Sequence, residues 1–312
     1  MNNISQDQLQ KLQLDRLAAQ RQLYTKAKGV QVIQIIIAVP CVIIWSLLIR
    51  WIPNLKVYGA FWGIAVTLFD IYCLSPWVHS LLQKAAKIQE LFDCDVLQLD
   101  WQDLKVGHHP DEETIVKYSS QFKRTDPECL TLRDWYPSNV GKLPTYLARI
   151  LCQRINCWWD GNLRRRYALY IVILVAILTM VVFLIGVIGG FTIEKFILAI
   201  LAPLMPLLVL GMRQYREHNN AAATSDHLKK YSEDLWQKAL LCEATVEEFT
   251  LKSRCLQCEI YDLRRKNPLI FDWIYQRLRG DYQEQMNKAV DNFVTKALQS
   301  LSKDKHAGQI VN

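Results

Sequence analysis

Four long runs without a lysine, arginine or glutamate limit what this chain can fold into. They cover residues 29–49, 57–83, 167–193 and 196–212, and Asp70 is the only aspartate in them. A bilayer core is about 30 Å thick, so a spanning helix needs about 20 mainly apolar residues. The runs therefore predict an all-α integral membrane protein with four transmembrane helices and cytoplasmic helical regions. They argue against a soluble enzyme, a disordered chain and a secreted disulfide-rich domain.

Positive charge predicts the side of the membrane that each polar segment occupies. Thirteen lysines and arginines lie in residues 81–166 and sixteen in 213–312, whereas the turn between the last two runs has only Lys195. Short loops rich in lysine and arginine stay on the cytoplasmic side. We therefore expect a multi-pass protein whose two termini and 81–166 segment are all cytoplasmic.

These patterns divide the chain into five expected segments. They are an N-terminal cytoplasmic amphipathic helix (1–29), transmembrane helices 1 and 2 (30–80), a cytoplasmic helical insert (81–166), transmembrane helices 3 and 4 (167–212) and a C-terminal cytoplasmic helical domain (213–312).

Three local expectations follow from residue periodicity. Residues 5–28 are predicted to form one helix, with Leu9 and Leu12 among the leucines of its apolar stripe. Residues 221–266 are predicted to form a single long helix that stops at the Asn-Pro pair 267–268. Residues 94–101 alternate roughly between apolar and polar, which fits either a strand or an irregular loop.

Five residues of the spans are candidates for pore-lining or inter-subunit contacts. An acid at the bilayer centre costs about 2.5–3.5 kcal/mol, so Asp70 needs a water-filled lumen, a partner donor or an interfacial position. Gly186 and Gly190 have the G-x-x-x-G spacing that lets helices approach closely, although a glycine cluster can also simply end a span. Pro203 and Pro206 are expected to kink the fourth span.

A dense polar and aromatic region precedes the third span. Guanidinium groups can pair with phosphates, and aromatic rings can stack on bases, so we predict a cyclic-nucleotide site here. Its candidate ligand-binding residues are Arg149, Gln153, Arg154, Asn156, Trp158, Trp159 and Asp160, with Trp135 and Tyr136. The alternative is that the tryptophans are ordinary interfacial anchors and the arginines at 164–166 only set topology.

No sequence motif points to a reaction. Phosphate-binding glycine loops, zinc-protease motifs and nucleophile elbows are missing from the sequence, so we predict no catalytic residues, no cofactor and no enzyme activity. Cys255 and Cys258 have a metal-ligand spacing but lack a second pair, so no metal site is predicted. A non-conducting signalling adaptor and a small transporter remain the alternatives to a pore.

Four stretches carry a resemblance to a known family. They are AQRQLYTKAK at 19–28, DWYP at 134–137, RILCQRINCWWDGNLRR at 149–165 and LAPLMP at 201–206. The chain resembles the SMODS-associated four-transmembrane effectors of bacterial CBASS anti-phage systems. The third stretch is the most distinctive, and the resemblance extends in order over about residues 15–280 and includes the arrangement of the spans.

The resemblance implies a function. Such effectors are linked to a cGAS-like nucleotidyltransferase, sense its cyclic oligonucleotide and permeabilise the bacterial inner membrane, which kills the infected cell in an abortive infection. The implied partners are the lipid bilayer, the cyclic oligonucleotide and further copies of the chain, with no binding to nucleic-acid polymers. Oligomerisation also follows from size, because four helices are too few to enclose a wide pore.

Overall fold

All regular secondary structure is helical over the residues that the computed structural model describes, which are 2–38, 64–188 and 202–309. The helices are α1 (Ile4–Asp7), α2 (Lys11–Ala38), α3 (Ile64–Leu97), α4 (Asp103–Val106), α5 (Glu112–Phe122), α6 (Thr145–Ile188), α7 (Ala202–Leu240), α8 (Val246–Lys266) and α9 (Asp272–Gln309), with short 3-10 turns at Leu130–Leu132 and Ser138–Lys142. The predicted all-α class is confirmed. The expectation of a strand or an irregular loop over residues 94–101 was wrong for 94–97, which form the last turn of α3.

One described helix, α3, is long and apolar enough to cross a bilayer. Its 34 residues extend about 51 Å, and a π-helical turn interrupts it at Asp70–Leu74. Most of the first predicted span, the start of the second and the turn between the third and fourth lie outside the described residues. Four transmembrane helices therefore stay a prediction.

The polar segments of the sequence pack against one another into one helical body. The main apolar cluster joins α1, the end of α3, the start of α6 and parts of α7 and α9. A second cluster packs Leu23 and Ala27 of α2 against Ala85 and Ile88 of α3. Direct polar contacts also join distant segments, as where Lys28 Nζ lies 2.6 Å from Asp272 Oδ1.

Helix α6 changes character along its 44 residues, about 66 Å. Its first half is buried in the helical body, where Leu147, Ile150 and Leu151 are fully enclosed. From residue 169 onward its large apolar side chains are exposed around much of the helix, including Leu174, Ile177 and Met180. The sequence-based prediction that the 143–166 helix continues into the third apolar run is confirmed.

Two helix predictions were wrong. Residues 5–28 do not form one helix, because α1 ends at Asp7 and α2 begins at Lys11, and Leu9 and Leu12 are each 47% exposed. Residues 221–266 are divided where α7 ends at Leu240. Thr245 then caps α8 by accepting a hydrogen bond from the backbone N–H of Glu248 at 3.2 Å. This Thr-x-x-Glu pattern is a capping-box signature that the sequence already contained. Helix α8 ends at Lys266, as the Asn-Pro pair predicted.

Helices α6 and α7 form the most extensive helix pair in the described residues, and Gly211 is a point of close approach. A Cβ at this position would lie 2.6 Å from Val175 Cγ2. We expect Gly211→Ala to destabilise the protein by about 1–3 kcal/mol, because overpacking forces the helices apart. Thermal unfolding in detergent, followed by circular dichroism, measures this.

Gly29 provides the matched control for this substitution. It lies inside α2, and a Cβ there would have no atom within 4 Å. Gly29→Ala is expected to stabilise by about 0.5–1 kcal/mol through helix propensity. Equal unfolding midpoints for the two variants would show that the approach at Gly211 is not tight.

Candidate ligand-binding cavity

A cavity of about 330 Å³ lies between α2, α6, α8 and α9 and is closed on one side by the 131–135 loop. Its walls combine three kinds of side chain, which are basic groups, aromatic rings and neutral amides. Pockets of this size that join apolar surface to a few convergent polar groups are typical small-molecule sites. The cavity is therefore the candidate functional site.

The cavity wall is rich in positive charge. Its charged residues are five cations and two anions, namely Arg21, Lys28, Arg164, Arg264 and Arg279 with Asp134 and Asp160. This excess favours an anionic ligand, because guanidinium and ammonium groups donate charge-assisted hydrogen bonds to phosphate oxygens.

At one end of the cavity, Asp272 holds two of these cations. The Lys28 ammonium lies 2.6 Å from its Oδ1, and Arg21 Nη2 lies 3.6 Å from the same oxygen. Burial lowers the pKa of Lys28, and Asp272 opposes this change. The Arg21 guanidinium also stacks over the Tyr275 ring, 4.4 Å from its centroid. This end presents two cations to the cavity with one shared carboxylate.

The guanidinium of Arg164 is oriented by α6 itself and by the start of the α8–α9 link. It donates at 2.8 Å to Asp160 Oδ2 and at 2.8 Å to the carbonyl of Pro268. Next to it, His218 is fully buried and its Nε2 has no partner in the described residues. Burial and the neighbouring Arg164 lower the pKa of His218 to about 3, so this imidazole is neutral.

Two tryptophans give the cavity its aromatic character. Trp135 and Trp159 both line it, and the indole Nε1–H of Trp135 is buried without an acceptor in the described part of the chain. An unpaired buried donor is uncommon and costs about 1–3 kcal/mol.

Four of the predicted ligand-binding residues line this cavity, namely Asn156, Trp159, Asp160 and Trp135. Asn156 donates from Nδ2 to the Tyr136 hydroxyl at 3.0 Å. Asp160 accepts from Arg164 and from the Ser225 hydroxyl, both at 2.8 Å. The structure thus brings together three of the four predicted residues that follow Arg154, with Trp135 of the 131–135 loop.

The other predicted residues are not among those that line the cavity, because their polar groups are engaged elsewhere. Arg149 donates at 2.7 Å to the carbonyl of Leu97, which gives this C-terminal carbonyl of α3 a hydrogen-bond donor. Arg154 forms an ion pair at 2.7 Å with Glu233. Gln153 donates at 2.8 Å to the carbonyl of Ser253. A ligand role for them stays a prediction.

Trp158 and Tyr136 also lie beside the cavity without lining it. Trp158 packs edge-on against Tyr282, with ring centroids 5.8 Å apart. Tyr136 is buried, and its hydroxyl donates to Asp93 Oδ1 at 2.8 Å. Each ring also contacts one residue that lines the cavity, since Trp158 packs edge-on against Trp159 with ring centroids 6.4 Å apart and the Tyr136 hydroxyl accepts from Asn156.

The model of the SMODS-associating 4TM effector domain matches residues 2–293. The chain belongs to this family. A probable CBASS effector molecule of Bacillus cereus (strain VD146) is 28% identical over 180 residues, which cover 58% of this chain and 55% of that protein's length. No solved structure matches.

Family membership confirms the resemblance seen in the sequence. It supports a role for this chain in anti-phage CBASS systems. A four-transmembrane domain also indicates a membrane location.

Sequence reasoning missed the basic residues that the effector's cavity receives from outside α6. Arg21 and Lys28 are seven residues apart on α2 and so share one helix face, and both lie in the first stretch of family resemblance. That spacing could have suggested them. Arg264 and Arg279 stand in ordinary amphipathic helices, and no local signal distinguishes them.

The predicted pore residues of the effector are only partly described. Asp70 accepts hydrogen bonds from Gln34 Nε2 of α2 at 2.7 Å and from Ser75 Oγ at 3.3 Å, so one of the three predicted alternatives, a partner donor, is present. Gly186 lies in α6, and Pro203 and Pro206 lie in α7. Gly190 lies outside the described residues. Pore or inter-subunit roles for these five positions stay predictions.

Proposed function

We propose that this protein is a pore-forming CBASS effector that binds a cyclic oligonucleotide in the basic, aromatic-lined cavity and permeabilises the bacterial inner membrane as an oligomer. The observation that carries the proposal is the position of the cavity on α6. Asn156, Trp159 and Arg164 face it from the same helix that continues without a break into the exposed apolar residues 169–188.

The chemistry of the cavity suits a nucleotide. Phosphodiesters are anionic, and the arginines and the lysine can donate to their oxygens. Any nucleobase can stack on an aromatic ring, because every base has a π-face. Trp135 and Trp159 provide such rings in the cavity wall. The amides of Asn156 and Gln276 can donate to and accept from base edges.

The packing of the helical body supports the prediction that all polar segments lie on the same side of the membrane. Lys28, Asp272 and Arg164 come from three segments separated by the apolar runs. Lys28 is in direct contact with Asp272, and Lys28 and Arg164 line the same cavity. Segments that touch must lie on the same face of a membrane, which requires an even number of crossings between them. The positive-inside rule places that face in the cytoplasm, where the nucleotide would be made.

Exposed apolar surface supports lipid contact. On α3 the exposed residues include Leu68, Phe69 and Ile71. They precede Trp77, which is also exposed and lies near the predicted cytoplasmic end of the second transmembrane helix. A helix that is apolar on all sides is buried in a large core or faces lipid, and the second half of α6 is exposed in the single chain. Lipid and neighbouring copies of the effector would cover these surfaces.

The proposed mechanism is binding without catalysis. A ligand changes the population of two states only through a difference in its affinity for them. We propose a closed state with the empty cavity and an open state with the cavity contracted around the nucleotide, coupled through α3 and α6. An adaptor that only anchors the helical body would bind the ligand without conductance.

Dye release from liposomes tests this proposal. We expect purified protein in anionic liposomes to release carboxyfluorescein with at least one of cyclic di-AMP, cyclic di-GMP, cyclic GMP–AMP and cyclic tri-AMP, and at least tenfold more slowly without nucleotide. Linear dinucleotides with the same bases are the control. Binding of a cyclic nucleotide without release would indicate an adaptor, and release independent of any nucleotide would contradict ligand control.

A further inference from the structure

We infer that Arg264 connects the ligand cavity to α3 by exchanging the carboxylate of Asp93 for a phosphodiester of the bound ligand. The inference rests on the proposed function, because it assigns the regulation of the same cavity. In the closed state Arg264 holds Asp93, and in the open state it holds the ligand.

Two carboxylates of α3 are completely buried about one turn apart. Glu90 and Asp93 have 0% side-chain exposure, and each pairs with one arginine of α8, Glu90 with Arg254 and Asp93 with Arg264. The Gln257 amide lies between them and donates at 2.9 Å to Glu90 Oε2 and at 2.9 Å to Asp93 Oδ2. Because attraction between charges is strong away from water, these pairs fix α3 against α8.

The two arginines differ in how fully they are engaged. Arg254 also donates at 3.0 Å to Cys94 Sγ and at 3.0 Å to the carbonyl of Asp100, and it does not line the cavity. Arg264 lines the cavity, and among the described residues Asp93 is the only acceptor of its hydrogen bonds. A guanidinium has five N–H donors, so Arg264 retains donors for an anion in the cavity.

Asp93 keeps other partners when Arg264 turns to a ligand. The Tyr136 hydroxyl donates to its Oδ1 at 2.8 Å and Gln257 Nε2 to its Oδ2 at 2.9 Å. Removing one partner of a buried ion pair is normally strongly destabilising, and these two neutral donors reduce that cost. Tyr136 in turn accepts from Asn156, which lines the cavity, so a second ligand contact reaches the same carboxylate.

The exchange acts on the helix that leads to the membrane. Asp93 lies near the inner end of α3, and the same helix continues to Ile64 as the candidate span. When the Asp93–Arg264 pair opens, the helix end loses one of its two charged attachments to α8. A small shift of α3 then becomes possible while Glu90 and Arg254 act as the remaining pivot.

The test compares Asp93→Asn with Glu90→Gln, which neutralises an equally buried acid in the same helix interface. Asp93→Asn frees Arg264, so nucleotide-free dye release is expected to rise about tenfold. The affinity for whichever of the four cyclic nucleotides activates the wild type should rise about tenfold as well. Glu90→Gln should change this affinity by less than twofold, because Arg254 does not reach the cavity. Equal changes of nucleotide affinity in the two variants, or an unchanged affinity in Asp93→Asn, would overturn the inference.

A second measurement needs no variant and covers the case in which Asp93→Asn does not fold. In the wild type, the activating nucleotide should speed amide hydrogen exchange of residues 90–97 at least fivefold, and unchanged exchange there would overturn the inference. If none of the four nucleotides binds or releases dye, the proposed function fails, and the inference with it. If the wild type responds while Asp93→Asn behaves like Glu90→Gln, only the inference fails.

Discussion

Replacing Arg254 by methionine is expected to lower the free energy of unfolding by about 3–5 kcal/mol. The substitution keeps the length of the side chain but leaves the carboxylate of Glu90 buried without its counter-charge. Glu90 has no exposed surface, and its remaining donors are neutral, the Gln257 amide at 2.9 Å and the Cys94 thiol at 3.6 Å. Chemical unfolding in detergent micelles, followed by circular dichroism, measures the loss.

The loss should depend on pH in a definite direction. Burial raises the pKa of Glu90, and Arg254 opposes this rise, so the pKa should rise further in Arg254→Met. A carboxyl group with a higher pKa in the folded state binds more protons when folded, so stability falls as pH rises from about 4.3 through the folded-state pKa. The deficit of the variant should therefore be largest near neutral pH and smaller at pH about 5.

Two controls separate this effect from a general loss of charge. Arg265→Met removes the half-buried pair with Asp262, at 2.8 Å, and should cost at most about 1 kcal/mol. Adding Glu90→Gln to Arg254→Met should restore more than half of the loss, because the buried charge disappears. A double variant no more stable than Arg254→Met alone would show that packing, not charge, carries the effect.

The helical body shows which parts of the fold local patterns could predict. The continuation of α6 from residue 145 into the apolar run follows from a helical pattern without a proline after Pro144. The stop after Lys266 follows from the Asn-Pro pair. The breaks after Asp7 and Leu240 occur without proline or glycine, so hydrophobic periodicity alone continues through them.

The cavity was predictable only in its α6 part. Asn156, Trp159 and Asp160 are close in sequence, so a local reading could group them. From sequence alone, Arg149 and Arg154 are equally plausible ligand-binding residues. In the structure, however, Arg149 donates to a backbone carbonyl and Arg154 forms an ion pair with Glu233. The cations that replace them come from α2, α8 and α9, and only the packing of these helices brings them together.

Removing the two cations held by Asp272 should have the largest effect on ligand response. In Arg21→Gln combined with Lys28→Met, the nucleotide concentration for half-maximal dye release is expected to rise about 100-fold or more. Each charge-assisted hydrogen bond to a phosphate contributes about 1.5–3 kcal/mol, and 1.4 kcal/mol corresponds to a factor of ten in affinity. The fold should survive, because the Asp272 side chain left behind is 38% exposed and can be hydrated.

The matched control is Lys252→Met combined with Lys288→Met. Both lysines form exposed i,i+4 pairs, with Glu248 and Glu284, and neither lines the cavity. This control lowers the net charge by the same two units, so it accounts for any general weakening of nucleotide or lipid attraction. A 100-fold shift confined to the α2 variant would place the phosphates at the Arg21–Lys28 end of the cavity. Equal shifts in both variants would mean that nucleotide affinity depends on the overall charge of the protein. That result would contradict the assignment of the cavity as the binding site.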